Sequence, residues 1–221
     1  MSGLQLVAPA PHGGRPVRQG GAPMGSARGA LILLHGRGAT AESMFDLAQE
    51  VSPPDLAWWA PSAARNTWYP ESFLVPMEQN EPALSSAFAA VHGLIETLSV
   101  AGFPPERIAL LGFSQGACLT LEYAARHAKR FGALIGLSGG LIGPPGTPRG
   151  YTGSFSGTPV FLGCSDVDFH IPVERVRESA EAFRRMGAQV DERIYPGMGH
   201  TVNDDELNAV RGMLGSIGLT V

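Results

Sequence analysis

The chain is poor in cysteine, in charge and in long apolar runs, and each shortage excludes something. Its 221 residues include 2 Cys. A single pair cannot staple a disulfide-rich scaffold, and Cys118 and Cys164 lack the close spacing of metal ligands. Both lie in apolar stretches, as expected of buried free thiols in a reducing compartment. Charged residues make up 16% of the chain and leave a net charge of −4, which argues against a nucleic-acid partner. The longest aliphatic run near the front, Ala30–Leu34, is far too short to span a bilayer, so no stable membrane insertion is expected. Residues 1–29 carry no acid, yet no apolar core of a secretory signal follows them. Their glycines and prolines would also break the amphipathic helix of a transit peptide. A cytoplasmic location is expected.

Glycine and proline, in contrast, are plentiful. With 29 Gly and 18 Pro, they make up about a fifth of the chain, below the roughly 25–30% at which disorder becomes the default. No Gly-X-Y period is present, which excludes collagen. Seven of the glycines precede residue 30. Residues 1–29 are therefore expected to form a partly ordered arm, with a short strand or hairpin near Arg15–Gln19.

From residue 30 to 221, apolar strand-like runs alternate with helical patterns. Strands are expected at Ala30–Leu34, Leu56–Ala60, Arg107–Gly112, Gly132–Ser138, Thr158–Gly163 and Gln189–Tyr195. Helices are expected at Ala41–Glu50 (with Thr40 as N-cap), Pro82–Val100, Gln115–Ala128, Pro172–Met186 (stopped by Gly187) and Asn203–Leu214. Residues 61–81 and 139–157 read as irregular loops. This alternation predicts an α/β fold in one domain: a mainly parallel sheet with helices on both faces and no separate cap domain. Ligands of such sheets bind at the carboxyl ends of the strands, in the loops that start near 35, 61, 113, 139, 164 and 196.

The pattern G-x-S-x-G occurs there twice, around Ser114 and around Ser138. A nucleophile elbow needs a strand, a sharp turn with small residues two positions away on each side, and then a helix. Ser114 has all three. Ser138 has the strand, but Gly and Pro after it leave no helix to start, so it reads as a strand-end turn.

A serine hydroxyl needs a general base. In this arrangement the chain order is Ser, acid, His, which removes His12, His35 and His92. His127 lies about 20 Å down the helix that leaves Ser114, at 1.5 Å per residue. His200, in the Gly-rich loop after Tyr195, is the expected base. His170 sits beside the candidate acids and reads as a loop or pocket-lining residue. Asp166 and Asp168 both follow the right strand, and periodicity does not choose between them. The acid would hold the imidazole tautomer and stabilise imidazolium. For the oxyanion, one donor is expected to be the Gln115 N–H. The other is the Arg37 N–H in His35-Gly36-Arg37-Gly38, where glycines let backbone approach a substrate. Trp68, Tyr69, Phe73 and Leu74 are expected to wall an apolar acyl pocket. If exposed, that aromatic loop would also permit a homodimer.

Together, Leu34–Gly38, Trp68-Tyr69-Pro70, Gly112–Gly116, Asp168–Pro172 and Gly197–His200 resemble the carboxylesterase/phospholipase branch of the α/β-hydrolases, kin to acyl-protein thioesterases. In that branch the acid commonly lies four residues before a proline, so the resemblance implies Asp168, ahead of Pro172. It also implies an acyl-enzyme mechanism with neither cofactor nor metal. Two departures stand out: Phe169 where the family often has proline, and Arg37 where thioesterase relatives often carry an apolar residue. The expected activity is a serine carboxylesterase acting on small to medium esters. Its rivals are a thioesterase, a lysophospholipase, a dienelactone-type lactone hydrolase, and a catalytically silent binding module.

Overall fold

Ala30, Ile32 and Leu34 point to one side of a sheet, and Leu31 and Leu33 point to the other. All five are fully buried, which is why this strand reads as one unbroken apolar run. The structure is a computed structural model that describes residues 3–219. Its seven strands are β1 (Val17–Gly21), β2 (Gly29–Leu34), β3 (Leu56–Pro61), β4 (Ile108–Phe113), β5 (Ala133–Leu137), β6 (Pro159–Ser165) and β7 (Gln189–Tyr195). They lie in the order β1-β3-β2-β4-β5-β6-β7, with only β1 antiparallel to its neighbour.

Five helices cover the two faces: α1 (Met44–Val51), α2 (Ala83–Val100), α3 (Gln115–Arg126), α4 (Val173–Arg185) and α5 (Asp204–Gly215). One core joins α2, α3 and α4 to Ile32, Leu110, Leu134 and Leu162. The other joins α1 and α5 to Leu31, Leu33, Leu111 and Ile135. In α4 the stripe Val176, Ala180 and Phe183 recurs at helical spacing and is fully buried. Truncating Phe183 to Ala would cost about 3–5 kcal/mol. Gly187 ends α4 at φ 80°, with the Ala188 N–H closing back on Phe183 O at 3.1 Å. α2 has the length and apolar character of a membrane span, but it buries Leu84, Val91, Leu94, Ile95 and Leu98 in the first core.

Some expected boundaries move. The N-terminal arm packs against the sheet: β1 pairs with β3 from Val17↔Pro61 to Gly21↔Ala57, and Leu6 and His12 are buried. Its polar sequence, Val-Arg-Gln-Gly-Gly, fits an edge strand and hides it from periodicity. α1 begins three residues late; Ser43 stands at its N-cap position without a side-chain capping bond, and Thr40 instead holds the preceding turn, its Oγ1 accepting the Ser43 N–H at 3.3 Å and its carbonyl the Ser43 hydroxyl at 2.7 Å. β6 runs to Ser165, because pairing with β7 continues to Ser165↔Tyr195. Those two extra residues carry the chain to Asp166 and Asp168.

Candidate active site

Ser114 sits between β4 and α3 at φ 55°, ψ −118°, a backbone that residues other than glycine rarely adopt. Its N–H donates to Leu137 O at 2.9 Å, which ties the turn to β5. The flanking glycines are there for close approach. A Cβ on Gly112 would stand 2.2 Å from Gly116 O, and one on Gly116 would stand 2.0 Å from Leu34 O. The hydroxyl is thereby raised at the N-terminus of a twelve-residue helix, whose free N–H groups favour negative charge.

The His200 imidazole reaches Ser114 from the loop after β7. Nε2 lies 2.8 Å from Ser114 Oγ, and Nδ1 lies 2.6 Å from Asp168 Oδ2. A carboxylate can only accept, so Nδ1 carries the proton and donates it to Asp168. Nε2 is left to accept from the serine hydroxyl. Asp168 Oδ1 accepts the N–H groups of His170 at 2.8 Å and Ile171 at 3.1 Å. Burial pushes this carboxyl up, but the bonds from His200, His170 and Ile171 outweigh it and hold it below its ordinary value. Asp166 is exposed, and its Oδ1 accepts the Gly197 N–H at 2.8 Å. The structure thus gives the two aspartates different partners: Asp168 touches the imidazole, and Asp166 clamps the loop that carries it.

The β2–α1 loop runs against Ser114, since a Cβ on Gly36 would stand 3.4 Å from Ser114 Cβ. Gly38 donates its N–H to Asn66 O and Ala39 to Gly36 O. The N–H of Arg37, just before them, has no protein acceptor among the described residues, and the Gln115 N–H lies in the unpaired first turn of α3. Both residues line the same cleft as Ser114.

Several residues that sequence reasoning discarded or overlooked hold this loop system. His35 Nε2 accepts the Ala63 N–H at 3.2 Å, so its Nδ1–H donates to Gly36 O at 2.8 Å. His12 Nδ1 accepts the Ala64 N–H at 3.0 Å, and its Nε2–H donates to Trp68 O at 2.9 Å. Burial lowers the pKa of both imidazoles, which suits these neutral tautomers. The Gln115 side chain accepts from Trp68 N at 2.9 Å and donates to Tyr69 O at 2.8 Å. The Arg37 guanidinium donates to Pro70 O and Glu71 O, both at 2.6 Å, and Asn80 Oδ1 accepts the Glu71 N–H at 2.7 Å. In the sequence, chain order and spacing to Ser114 rank residues by possible chemistry, so scaffold partners leave no signal.

The cleft above Ser114 measures about 550 Å3, within the range of small-molecule sites. Tyr69, Phe73, Phe113 and Ile171 wall it, Cys118 lies in its lining, and Arg37 and His170 stand at its exposed side. Two expected wall residues are elsewhere. Trp68 is fully buried beneath the site, with its indole N–H on His35 O at 2.9 Å and its ring against those of His12 and His35. Leu74 packs on the core, outside the cleft lining. Because Trp68, Tyr69 and Phe73 are all buried, the loop is not an exposed aromatic surface, and that ground for a homodimer falls away. Ser138 also has positive φ, at 50°, but it is fully buried and irregular chain follows it, so backbone geometry alone does not mark a nucleophile.

The chain matches the family model described as phospholipase/carboxylesterase over residues 21–216. A solved phospholipase/carboxylesterase from Dyadobacter fermentans is 42% identical with a TM-score of 0.87, and the match covers 90% of this chain and 96% of that one. A probable carboxylesterase of Oryza sativa subsp. japonica is 26% identical over 93% of this chain and 85% of its own length. An acyl-protein thioesterase 1 of Gibberella zeae is 34% identical, but over only 56% of this chain and 53% of that protein. The chain belongs to the phospholipase/carboxylesterase family, with the α/β-hydrolase fold and the hydrolase chemistry which that name describes.

Proposed function

We propose that the chain is a serine carboxylesterase in which Ser114 is the nucleophile, His200 the general base and Asp168 the orienting acid. The observation that carries this reading is the hydrogen-bond chain from Ser114 Oγ to His200 Nε2 at 2.8 Å and from His200 Nδ1 to Asp168 at 2.6 Å, opening into the cleft. Ser114 Oγ bonds to the ester carbonyl carbon as its proton passes to His200 Nε2. The carbonyl oxygen becomes an oxyanion held by the N–H groups of Arg37 and Gln115. Two such donors contribute several kcal/mol, about 3–4 for one donor in a comparable site. The tetrahedral centre collapses, the C–O bond to the alcohol breaks, and His200 returns the proton to the leaving alkoxide. Water then attacks the acyl carbon as His200 takes its proton; the bond from that carbon to Ser114 Oγ breaks, His200 returns the proton to Oγ, and the carboxylic acid leaves. Asp168 stays ionised throughout, as its lowered pKa supports.

The cleft fits a small to medium acyl group lying between Tyr69, Phe73 and Ile171. All of these groups come from one chain, so the reading needs no second copy. Burial pushes the thiols of Cys118 and Cys164 up to about 12, which supports reading both as inert structural residues. A thioester substrate is the second reading, favoured by the acyl-protein thioesterase relative. A fluorophosphonate probe should label the folded protein and fail on Ser114→Ala. Absence of labelling in the folded wild-type chain sinks the proposal. A matched panel of esters, thioesters and lactones then ranks the substrate classes.

A further inference from the structure

Three rings stand in file from the base out to solvent. The His200 ring meets His170 edge-on at 4.9 Å between centroids, and His170 meets Phe169 at 4.5 Å. Phe169 is 81% exposed, and nearby Val167 is 58% exposed. Leaving a Phe ring in water forgoes roughly 1.5–3 kcal/mol of burial, so its place against a ring that lines the cleft calls for a reason. The turn itself supplies none. It is built by Asp168 Oδ1 accepting the His170 and Ile171 N–H groups, and any residue at 169 would satisfy it.

Direction follows from the chemistry of the proposed mechanism. The oxyanion lies toward Gln115 and Arg37, at the start of α3 and after β2. The acyl part enters the walled space of Tyr69, Phe73 and Ile171. His200 must protonate the departing oxygen, so the alcohol part leaves within hydrogen-bond reach of Nε2. The rings packed on His200 therefore border the alcohol. One of them, Phe113, lies at 5.1 Å and continues β4; the other, His170, leads out to Phe169.

Resting on the esterase reading above, we propose that His170 and Phe169 form a leaving-group subsite that selects esters whose alcohol carries an aryl or similarly flat apolar group. His170 offers a ring face next to the base, and Phe169 extends that face by one more ring. The subsite is open at its outer end, so it constrains the character of the alcohol more than its length.

The test compares ethyl butyrate with 2-phenylethyl butyrate. These share one acyl group, and both leave as simple alkoxides, so their ratio of kcat/KM reports recognition of the alcohol. The wild-type ratio is expected to favour the phenylethyl ester by threefold to tenfold, about what one aromatic pair contributes. Phe169→Ala should bring the ratio near unity. His170→Ala should do the same, while the ratio between ethyl acetate and ethyl butyrate stays at its wild-type value in both variants. Phe169 is exposed, so its variant is expected to fold; coincident thermal unfolding curves check this. An alcohol ratio unchanged by Phe169→Ala, or a shift of both ratios together, overturns the subsite. If the wild-type protein hydrolyses neither ester and takes no fluorophosphonate, the esterase reading itself has failed, and the subsite fails with it.

Discussion

Gln115 and Trp68 are joined across the site: Gln115 Oε1 accepts the Trp68 backbone N–H at 2.9 Å, while Gln115 Nε2 donates to the next carbonyl, Tyr69 O, at 2.8 Å. Under the proposed mechanism, Gln115 serves twice. Its main-chain N–H is the proposed oxyanion donor, and its side chain fixes the segment that carries Tyr69. That segment is irregular chain, so it has no ladder of its own to hold Tyr69 in place.

Replacing Gln115 by Ala leaves the backbone donor intact but strands a buried N–H and a buried carbonyl. The expected loss of stability is about 1–3 kcal/mol. Activity should fall mainly through KM, because Tyr69 loses its anchor while Ser114, His200 and Asp168 keep theirs. Steady-state kinetics on one ester, with a denaturant titration, separates the two effects. A large fall in kcat at unchanged KM would show that the side chain acts in the transition state.

The two aspartates near His200, the proposed base, should separate cleanly. Asp168→Asn removes the acceptor that holds the Nδ1–H tautomer of His200 and should lower kcat by about 10^3–10^4-fold, as in the triad template. Asp166→Ala removes only the clamp on the Gly197 N–H. It should cost about tenfold or less, the effect of losing a single hydrogen bond worth roughly 0.5–1.5 kcal/mol outside the reacting groups. If the Asp166 variant is the crippled one, the acid has been misassigned.

The residues proposed to bear chemistry were legible because such chemistry would constrain sequence. The Gly112–Gly116 turn needs small residues where backbones touch, and Gly116 against Leu34 O shows the reason. His200 was reached by chain order and by its place after β7. Between Asp166 and Asp168, periodicity said nothing, since both follow one strand at the same end; the structure separates them by what each carboxylate accepts. β2, β4, β5 and β6 were readable because burial on both faces makes them continuous apolar runs. β1 was blurred because an edge strand is polar. Trp68 was misplaced because an aromatic in a loop near a site looks the same whether it faces the substrate or the scaffold. Its burial under His12 and His35 depends on contacts 33 and 56 residues apart in sequence, and no local pattern reports those.

Arg37 offers a sharper test of main-chain against side-chain function. Its guanidinium bonds the carbonyls of Pro70 and Glu71 and stands 5.9 Å over the Tyr69 ring, while its backbone N–H is the proposed oxyanion donor. Arg37→Ala keeps the donor and frees the rim. The rate of fluorophosphonate labelling should stay within about tenfold of wild type, a loss smaller than the 10^2–10^3-fold expected when an oxyanion donor is removed. Backbone amides of residues 71–72 should exchange faster in hydrogen-exchange measurements. Labelling slowed a hundredfold or more would place the side chain at the reacting centre.

Glu206 ties the loop that carries His200 to pH. It is fully buried at the start of α5, where its Oε2 accepts the Asn203 N–H at 2.9 Å and its own N–H donates to Asn203 Oδ1 at 3.0 Å. Its Oε1 has no partner among the described residues, and it lies so close to β6 that a Cβ on Gly163 would stand 2.1 Å away. Burial pushes this carboxyl up to about 7, against the Asn203 N–H, which favours the charged form; the neighbouring Asp205 adds to the rise. An unfolded chain releases this proton near its ordinary value of 4.5. Between that value and about 7, the native state holds a proton that the unfolded state has lost, so this group makes stability fall as pH rises through the interval and level off above it. Glu206→Gln keeps the capping geometry and removes the titration. The Tm of the variant minus that of wild type should therefore grow from pH 4.5 to 7 and then hold steady, since the contributions of the groups common to both proteins cancel. A difference that stays flat across that range would mean that the buried carboxyl is not the group that titrates.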